Sequence, residues 1–239
     1  MTSADEQPTL AVSTVIFTLQ PNDSATPELR IPLVKRIRNP FANQWALPGG
    51  PLAASEDLAD SASRTLRETT GLEPRYLEQL YAFGDPARSP GERVVSIVYW
   101  ALVAGDEAAQ VFDSENVAWF RADDLPQLAF DHNLIVDYAL WRLRTKLEYS
   151  RIAHGFLGDT FTLAALREVY EVILQRPIDA GNFRRTMEAS GVIVPTGERL
   201  TGTRHRPPQL YRYNAEPESQ GEFDLGPRSR PMLTVKETA

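Results

Sequence analysis

The 23 residues from Gly50 to Leu72 constrain this chain more than any other stretch. Gly49 and Gly50 open it, and a pair without side chains suits either a tight turn or the close approach of a ligand to the backbone. Leu58, Ala62 and Leu66 then recur at helical spacing, Glu56 and Asp57 stand where the helix begins, and Gly71 follows as a C-cap. Residues 10–19, 29–36 and 93–103 around it are rich in β-branched and aromatic side chains and read as strands. A second helix is predicted over 132–149, with Leu134, Tyr138, Trp141 and Leu147 on its apolar side. One helix set among strands and a second after them describe a mixed α/β unit over 10–150.

The chain has 239 residues, enough for that unit and a smaller one. With 42% hydrophobic and 24% charged residues it can bury a core. Cysteine is absent, which excludes a disulfide framework and any thiolate metal site. The first ten residues form no signal-like h-region, and no apolar run reaches the length of a membrane span, so a soluble, cytoplasmic protein without a membrane partner is expected. Residues 1–9 read as a loose leader and 215–239, rich in Pro, Gly and charge, as a disordered tail. Between them, 156–214 follow a helix, turn, helix, hairpin pattern. Pro177 stops the first helix, Asp179 caps the second, and Gly191 ends it.

The net charge of −7 would argue against a nucleic-acid partner, but the charge is unevenly placed. Between Gly181 and Tyr213 six arginines face two glutamates. In a helix-turn-helix the start of the second helix meets base edges, and here it carries Asn182, Arg184 and Arg185. Arginine pairs bidentately with guanine and asparagine with adenine. The following hairpin offers Thr203, Arg204, His205, Arg206 and Gln209 for phosphate or minor-groove contact. A solvated basic helix in a protein-interaction module would show the same charges.

Gly50, Glu56, Arg64, Leu66, Glu68, Gly71 and Leu72 fall in register with the Nudix box, which this segment resembles, and Trp45-Ala-Leu-Pro-Gly-Gly extends the match. The resemblance implies an α/β/α sandwich. It also implies three metal-holding glutamates at positions occupied here by Thr65, Glu68 and Thr69. Magnesium needs hard oxygen ligands, usually one or two carboxylates with substrate phosphates, and a threonine hydroxyl supplies neither charge nor a base. Little or no hydrolysis is therefore expected, no residue is assigned as catalytic or as a metal ligand, and no cofactor is required. Glu56 and Glu68 can hold at most one weak ion beside a diphosphate.

The pocket of such a domain still suits a nucleotide. Candidate ligand-binding residues are Arg36, Arg38, Gly49, Gly50, Glu56, Glu68, Phe83 and His132. All but Phe83 have a structural alternative: Glu56 can serve only as the ion-pair partner of Arg64, Glu68 as a solvated helix residue, the glycines only as a turn, Arg36 and above all Arg38 as exposed edge-strand arginines, and His132 as a helix cap. Phe83 with the loop from Gly84 to Arg93, and Phe130-Asp-His, resemble segments of Nudix proteins that handle ADP-ribose.

Asn182-Phe-Arg-Arg, Gly197-Glu-Arg and Arg206-Pro-Pro-Gln-Leu-Tyr-Arg-Tyr, placed after a Nudix domain, resemble the Nudix-related transcriptional regulators of NAD metabolism, the NrtR family. That resemblance covers nearly all of 10–214. It implies a winged helix and a homodimeric repressor of NAD biosynthesis or salvage genes, released from a palindromic operator by ADP-ribose or a related nucleotide. An active Nudix hydrolase of ADP-ribose or another nucleoside diphosphate derivative is the competing expectation.

Overall fold

The computed structural model describes residues 7–71, 73–105, 116–149, 152–201 and 207–214. Leu72, Thr203, Arg204, His205 and Arg206, like most of the leader and the whole tail, lie outside the described residues.

Strand β1 (Thr9–Pro21) is the axis of the first unit, and Val12 to Phe17 are buried on both of its faces. A strand buried on two sides favours apolar side chains, and the polar ones buried along its middle, Ser13, Thr14 and Thr18, are small. It pairs antiparallel with β2 (Pro27–Lys35) and with the short β4 (Gly49–Pro51), and parallel with β6 (Val94–Leu102) from Thr9↔Val94 to Phe17↔Leu102. Strand β5 (Tyr76–Phe83) adds antiparallel to β6, while β3 (Trp45–Ala46) and β7 (Val117–Arg121) add to β2.

Helix α1 (Leu58–Thr70) covers one face. Asp57 caps its start by accepting from Leu58 N, and Gly71 closes its end at φ 71°. Its Leu66 packs with Ile16, Ala101 and Val103, and its Ala62 with Val12 and Tyr99. Helix α2 (His132–Tyr149) covers the opposite face. Its buried stripe is Ile135, Val136, Ala139, Leu140, Leu143 and Leu147, against Val15, Phe17, Trp100 and Leu102. Leu134, expected on that stripe, is 42% exposed, because the ring of His132 and the side chain of Ile135 occupy the inward positions of the first turn. The layers are those of the expected α/β/α sandwich. No helix among the described residues is long and apolar enough to cross a membrane.

A 3-10 turn (Ile152–Phe156) leads into the second unit, where Gly155 sits so close to Leu102 that a Cβ would come within 2.8 Å of it. Helices α3 (Leu163–Leu174) and α4 (Ala180–Ala189) follow, then the hairpin β8 (Ile193–Arg199) and β9 (Gln209–Tyr213). Thr162 caps α3, Asp179 caps α4 by accepting from Asn182 N at 2.7 Å, and Gln175 turns left-handed at φ 52° ahead of Pro177. The core joins Leu166, Val169, Tyr170 and Ile173 to Phe183, Met187, Ile193 and Tyr211. Helix α3 is tied back to the sandwich by Arg144, whose Nε donates to Ile173 O at 2.9 Å while its Nη2 pairs with Asp123. This is the expected winged helix.

Candidate functional site

A cleft of about 480 Å³ opens where β2 ends, the β3 to β4 segment turns and α1 passes over them. Its walls carry Lys35, Arg36 and Arg38 from the end of β2, Leu47 to Pro51 from the turn, and Arg64, Thr65, Glu68 and Thr69 from α1. Four cations against one carboxylate favour an anionic ligand, and arginine's planar donors match phosphate oxygens.

The two glycines differ although the sequence presents them alike. On Gly49 a Cβ would lie 2.5 Å from Val12 O and 2.9 Å from Ser13 Cα, so β1 itself forbids a side chain there. On Gly50 a Cβ would meet nothing within 4 Å, so no protein atom requires its absence. We expect Gly49→Ala to lower stability by about 1–3 kcal/mol, as overpacking does, and Gly50→Ala to leave the melting midpoint unchanged while weakening nucleotide binding. Thermal melts with and without ADP-ribose check both.

Arg36 is held on two sides. Its Nε donates to Pro40 O at 3.0 Å, and its guanidinium lies over the Phe130 ring, 4.6 Å from the centroid. Burial lowers its pKa from the usual arginine value, without threatening its charge. Phe130 itself takes φ 57° and packs edge-on against Phe41. Arg38 is exposed at the rim.

On α1, Arg64 gathers the remaining carboxylates. Its Nε and Nη2 donate to Glu56 at 2.7 and 3.0 Å, and its Nη1 to Glu68 at 3.1 Å. The hydrogen bonds from Arg64 hold the Glu56 carboxyl below the usual range, and Glu56 in turn raises the arginine. The ion-pair alternative for Glu56 is thus what the structure has, and Glu56 is not on the cleft wall. Thr69 Oγ1 donates to Thr65 O at 2.7 Å, the i−4 bond typical of a helical threonine. Among the described residues no three His, Asp or Glu converge as metal ligands. As a cradle for Mg²⁺ this helix face offers one carboxylate, already paired, and two hydroxyls, a donor set that does not fit the ion.

Phe83 and His132 are not brought to the cleft wall. Phe83 is 7% exposed, edge-on to Tyr81 and Tyr138 in the core. His132 is 6% exposed behind the wall, its Nδ1 accepting from Leu47 N at 3.0 Å. Burial lowers its pKa to about 4, with Arg88 and Arg36 adding to the effect against Asp131. The ring is therefore neutral, and its Nδ1 serves the Leu47 amide and does not cap α2. Nothing in the sequence marks Lys35 or Arg64 as cleft residues, since only the fold brings them to its wall. Nor does it mark the pairing of the buried Arg88 with Asp131 across 43 residues at 2.9 and 2.7 Å.

In the second unit α4 presents Asn182, Arg184 and Arg185, all exposed, at its N-terminal half, and Gln209 opens β9 opposite Arg199. Arg199 is occupied by Pro207 O at 2.9 Å, and Arg184 by Glu188 at 3.0 Å. Phe183 and Met187 are buried, as expected for the inner face of a recognition helix.

Comparisons with known proteins agree with this architecture. Residues 9–139 match the model of the NUDIX domain, and residues 153–213 that of the NrtR DNA-binding winged helix domain. The ADPR responsive transcriptional repressor NtrR of Acinetobacter baylyi is 34% identical over 212 residues, covering 86% of this chain and 82% of the relative. The ADP-ribose pyrophosphatase of Methanocaldococcus jannaschii is 38% identical over 114 residues, 47% of this chain and 68% of that enzyme. Among solved structures, Shewanella oneidensis NrtR complexed with a 27mer DNA superposes with a TM-score of 0.75 at 34% identity, covering 86% of this chain and 93% of the other. With a Nudix sandwich carrying this winged helix, and a repressor relative matched along most of both chains, the protein belongs to the NrtR family of Nudix-related transcriptional regulators.

Proposed function

We propose that this chain is a transcriptional repressor of NAD biosynthesis or salvage genes that binds ADP-ribose, or a closely related nucleotide, in the cleft and does not turn it over. The observation that carries this reading is the face of α1: Thr65 and Thr69 stand where acidic oxygens would have to meet a metal, and Glu68 is drawn to Arg64. Without a held divalent ion nothing polarises the phosphoryl oxygens or acidifies the attacking water. Arg36, Arg38 and the Gly50 backbone receive the diphosphate, and Asn182, Arg185 and the basic hairpin meet a palindromic operator as a homodimer in the cytoplasm. Effector and operator sites are coupled: a nucleotide that lowers operator affinity must itself bind more weakly to the DNA-bound protein, by the same factor.

Gel shift on promoter fragments of NAD genes tests the reading. Retardation relieved by ADP-ribose is expected, and no retardation of any fragment would sink it. A second reading, an ADP-ribose hydrolase, is favoured by the identity to the archaeal pyrophosphatase. It predicts turnover with Mg²⁺ or Mn²⁺ at about 1 per second or faster, whereas the repressor reading predicts rates far below that.

A further inference from the structure

The inner face of α4 is fixed by Phe183 and Met187, 3% and 1% exposed. With about 100° between successive residues, Arg185 points directly away from that face, flanked by Gly181 and Ala189, and all three are exposed. A Cβ on Gly181 would meet nothing nearer than Asp179 Oδ1 at 3.5 Å, so folding does not demand a glycine there. Arg185 stands on a low, open ridge and has no hydrogen-bond or ion-pair partner among the described residues.

Arg184 lies on the flank turned toward the wing and is engaged. Its Nε donates to Glu188 Oε1 at 3.0 Å, and the same oxygen accepts from Tyr211 Oη at 2.9 Å. Tyr211 is anchored, being 5% exposed, with its backbone paired to Pro195 on one side and Phe161 on the other. A carboxylate on a surface that meets phosphates is unfavourable unless its charge is answered. Here a cation from the helix and a hydroxyl from the wing converge on one of its oxygens, so Glu188 links two elements that no other side-chain hydrogen bond between described residues of α4 and β9 joins.

We propose that Arg184, Glu188 and Tyr211 form a brace that sets the angle of the recognition helix against the wing, so that Arg184 is a positioning residue and Arg185 is the base reader. This divides labour within the DNA-binding reading above and rests on it. A base-reading Arg184 would use its two Nη groups with Nε still on Glu188, so removal of Glu188 alone does not separate the two roles. Arg184→Lys does, because it keeps a cation opposite Glu188 and loses the planar fork that base reading needs.

The test is fluorescence anisotropy of the full chain, across a salt series, on a duplex selected by the wild-type protein from a random-sequence library and on an unrelated duplex of equal length. Glu188→Ala, Tyr211→Phe and Arg184→Ala are each expected to weaken binding to the selected duplex by about fivefold, the scale of one lost hydrogen bond. The double variant Arg184→Ala/Tyr211→Phe should be no weaker than its weaker parent, and the salt slope should stay that of wild type. Arg184→Lys, which can still pair with Glu188 but has lost the planar fork, should restore affinity. Arg185→Ala should bring the selected duplex down toward the unrelated one. Tighter binding by Glu188→Ala, a salt slope reduced by about 0.9 in Arg184→Ala, or failure of Arg184→Lys to rescue would each overturn the brace while leaving DNA binding intact. Wild-type protein without salt-dependent affinity for any duplex would overturn both.

Discussion

Arg88→Met is expected to lower the free energy of unfolding by about 3–5 kcal/mol, the cost of stranding one partner of a buried ion pair. The guanidinium side chain is 4% exposed and grips Asp131 through two hydrogen bonds of 2.9 and 2.7 Å. Methionine keeps the apolar stem and most of the volume, so the cavity left behind is small. The loss comes instead from the Asp131 carboxylate, which remains 18% exposed without its counter-ion. Removing both charges should reverse most of it: Arg88→Met/Asp131→Leu is expected to approach wild-type stability, because two apolar side chains replace a pair whose desolvation nearly cancelled its attraction. Urea unfolding at neutral pH reads both variants. A single-variant loss below about 1 kcal/mol would mean that the pair behaves like an exposed bridge.

The same pair governs the edge of the cleft. It fastens the loop between β5 and β6 to the turn that begins α2, and that turn holds Phe130 left-handed beneath Arg36. A non-glycine residue at φ 57° persists only where its surroundings over-determine it. Arg88→Met should therefore loosen Arg36 and weaken ADP-ribose binding along with the fold.

What could be read from sequence follows from how local each determinant is. Helix α1 was legible because its cap, its stripe of Ala62 and Leu66 and its closing Gly71 lie within one short segment. Asp179, Pro177 and Gly191 likewise outlined the helix-turn-helix. Strand β5 carried no such signal: it is an edge strand with a register shift between Gln79 and Tyr81, so its alternation breaks halfway. Phe83 is a ligand candidate only through the resemblance of its segment to Nudix proteins that handle ADP-ribose, and strand geometry turns its ring inward onto Tyr138. Gly49 and Gly50 are one dipeptide in sequence, and only the distance to β1 separates a steric necessity from an open wall. The partnerships of Arg88 with Asp131 and of Tyr211 with Glu188 span 43 and 23 residues, and no periodicity records a contact of that kind.

His132 supplies the second large effect, a loss of about 3 kcal/mol of stability between neutral pH and pH 4. Its ring is buried and its Nδ1 must stay bare to accept the Leu47 amide, so protonation would set two donors face to face. Burial, helped by Arg88 and Arg36, accordingly lowers its pKa from 6.5 to about 4. Above 6.5 folded and unfolded chains both hold a neutral ring and the contribution is complete. As the pH falls below 6.5 the unfolded chain takes up a proton that the folded chain refuses, and stability drops by about 1.4 kcal/mol per pH unit until the folded ring protonates near 4. Carboxylates held low by ion pairs, Glu56 among them, begin to lose their contributions as the pH falls through the ordinary carboxyl value of 4.5, so they overlap the His132 window only at its acid end. His132→Asn isolates the effect, because the amide oxygen can accept from Leu47 without titrating. The difference in unfolding free energy between wild type and this variant should shrink steadily from pH 6.5 to 4 and stay level above; parallel curves over that range would refute the assignment. Arg88→Met should shorten this interval from its acid end and reduce the total loss, since it removes a cation that disfavours the imidazolium while leaving Asp131, which favours it. Leu47 also lines the cleft, so the acid-induced strain falls on the wall that holds the nucleotide, and affinity for ADP-ribose should decline over the same pH interval.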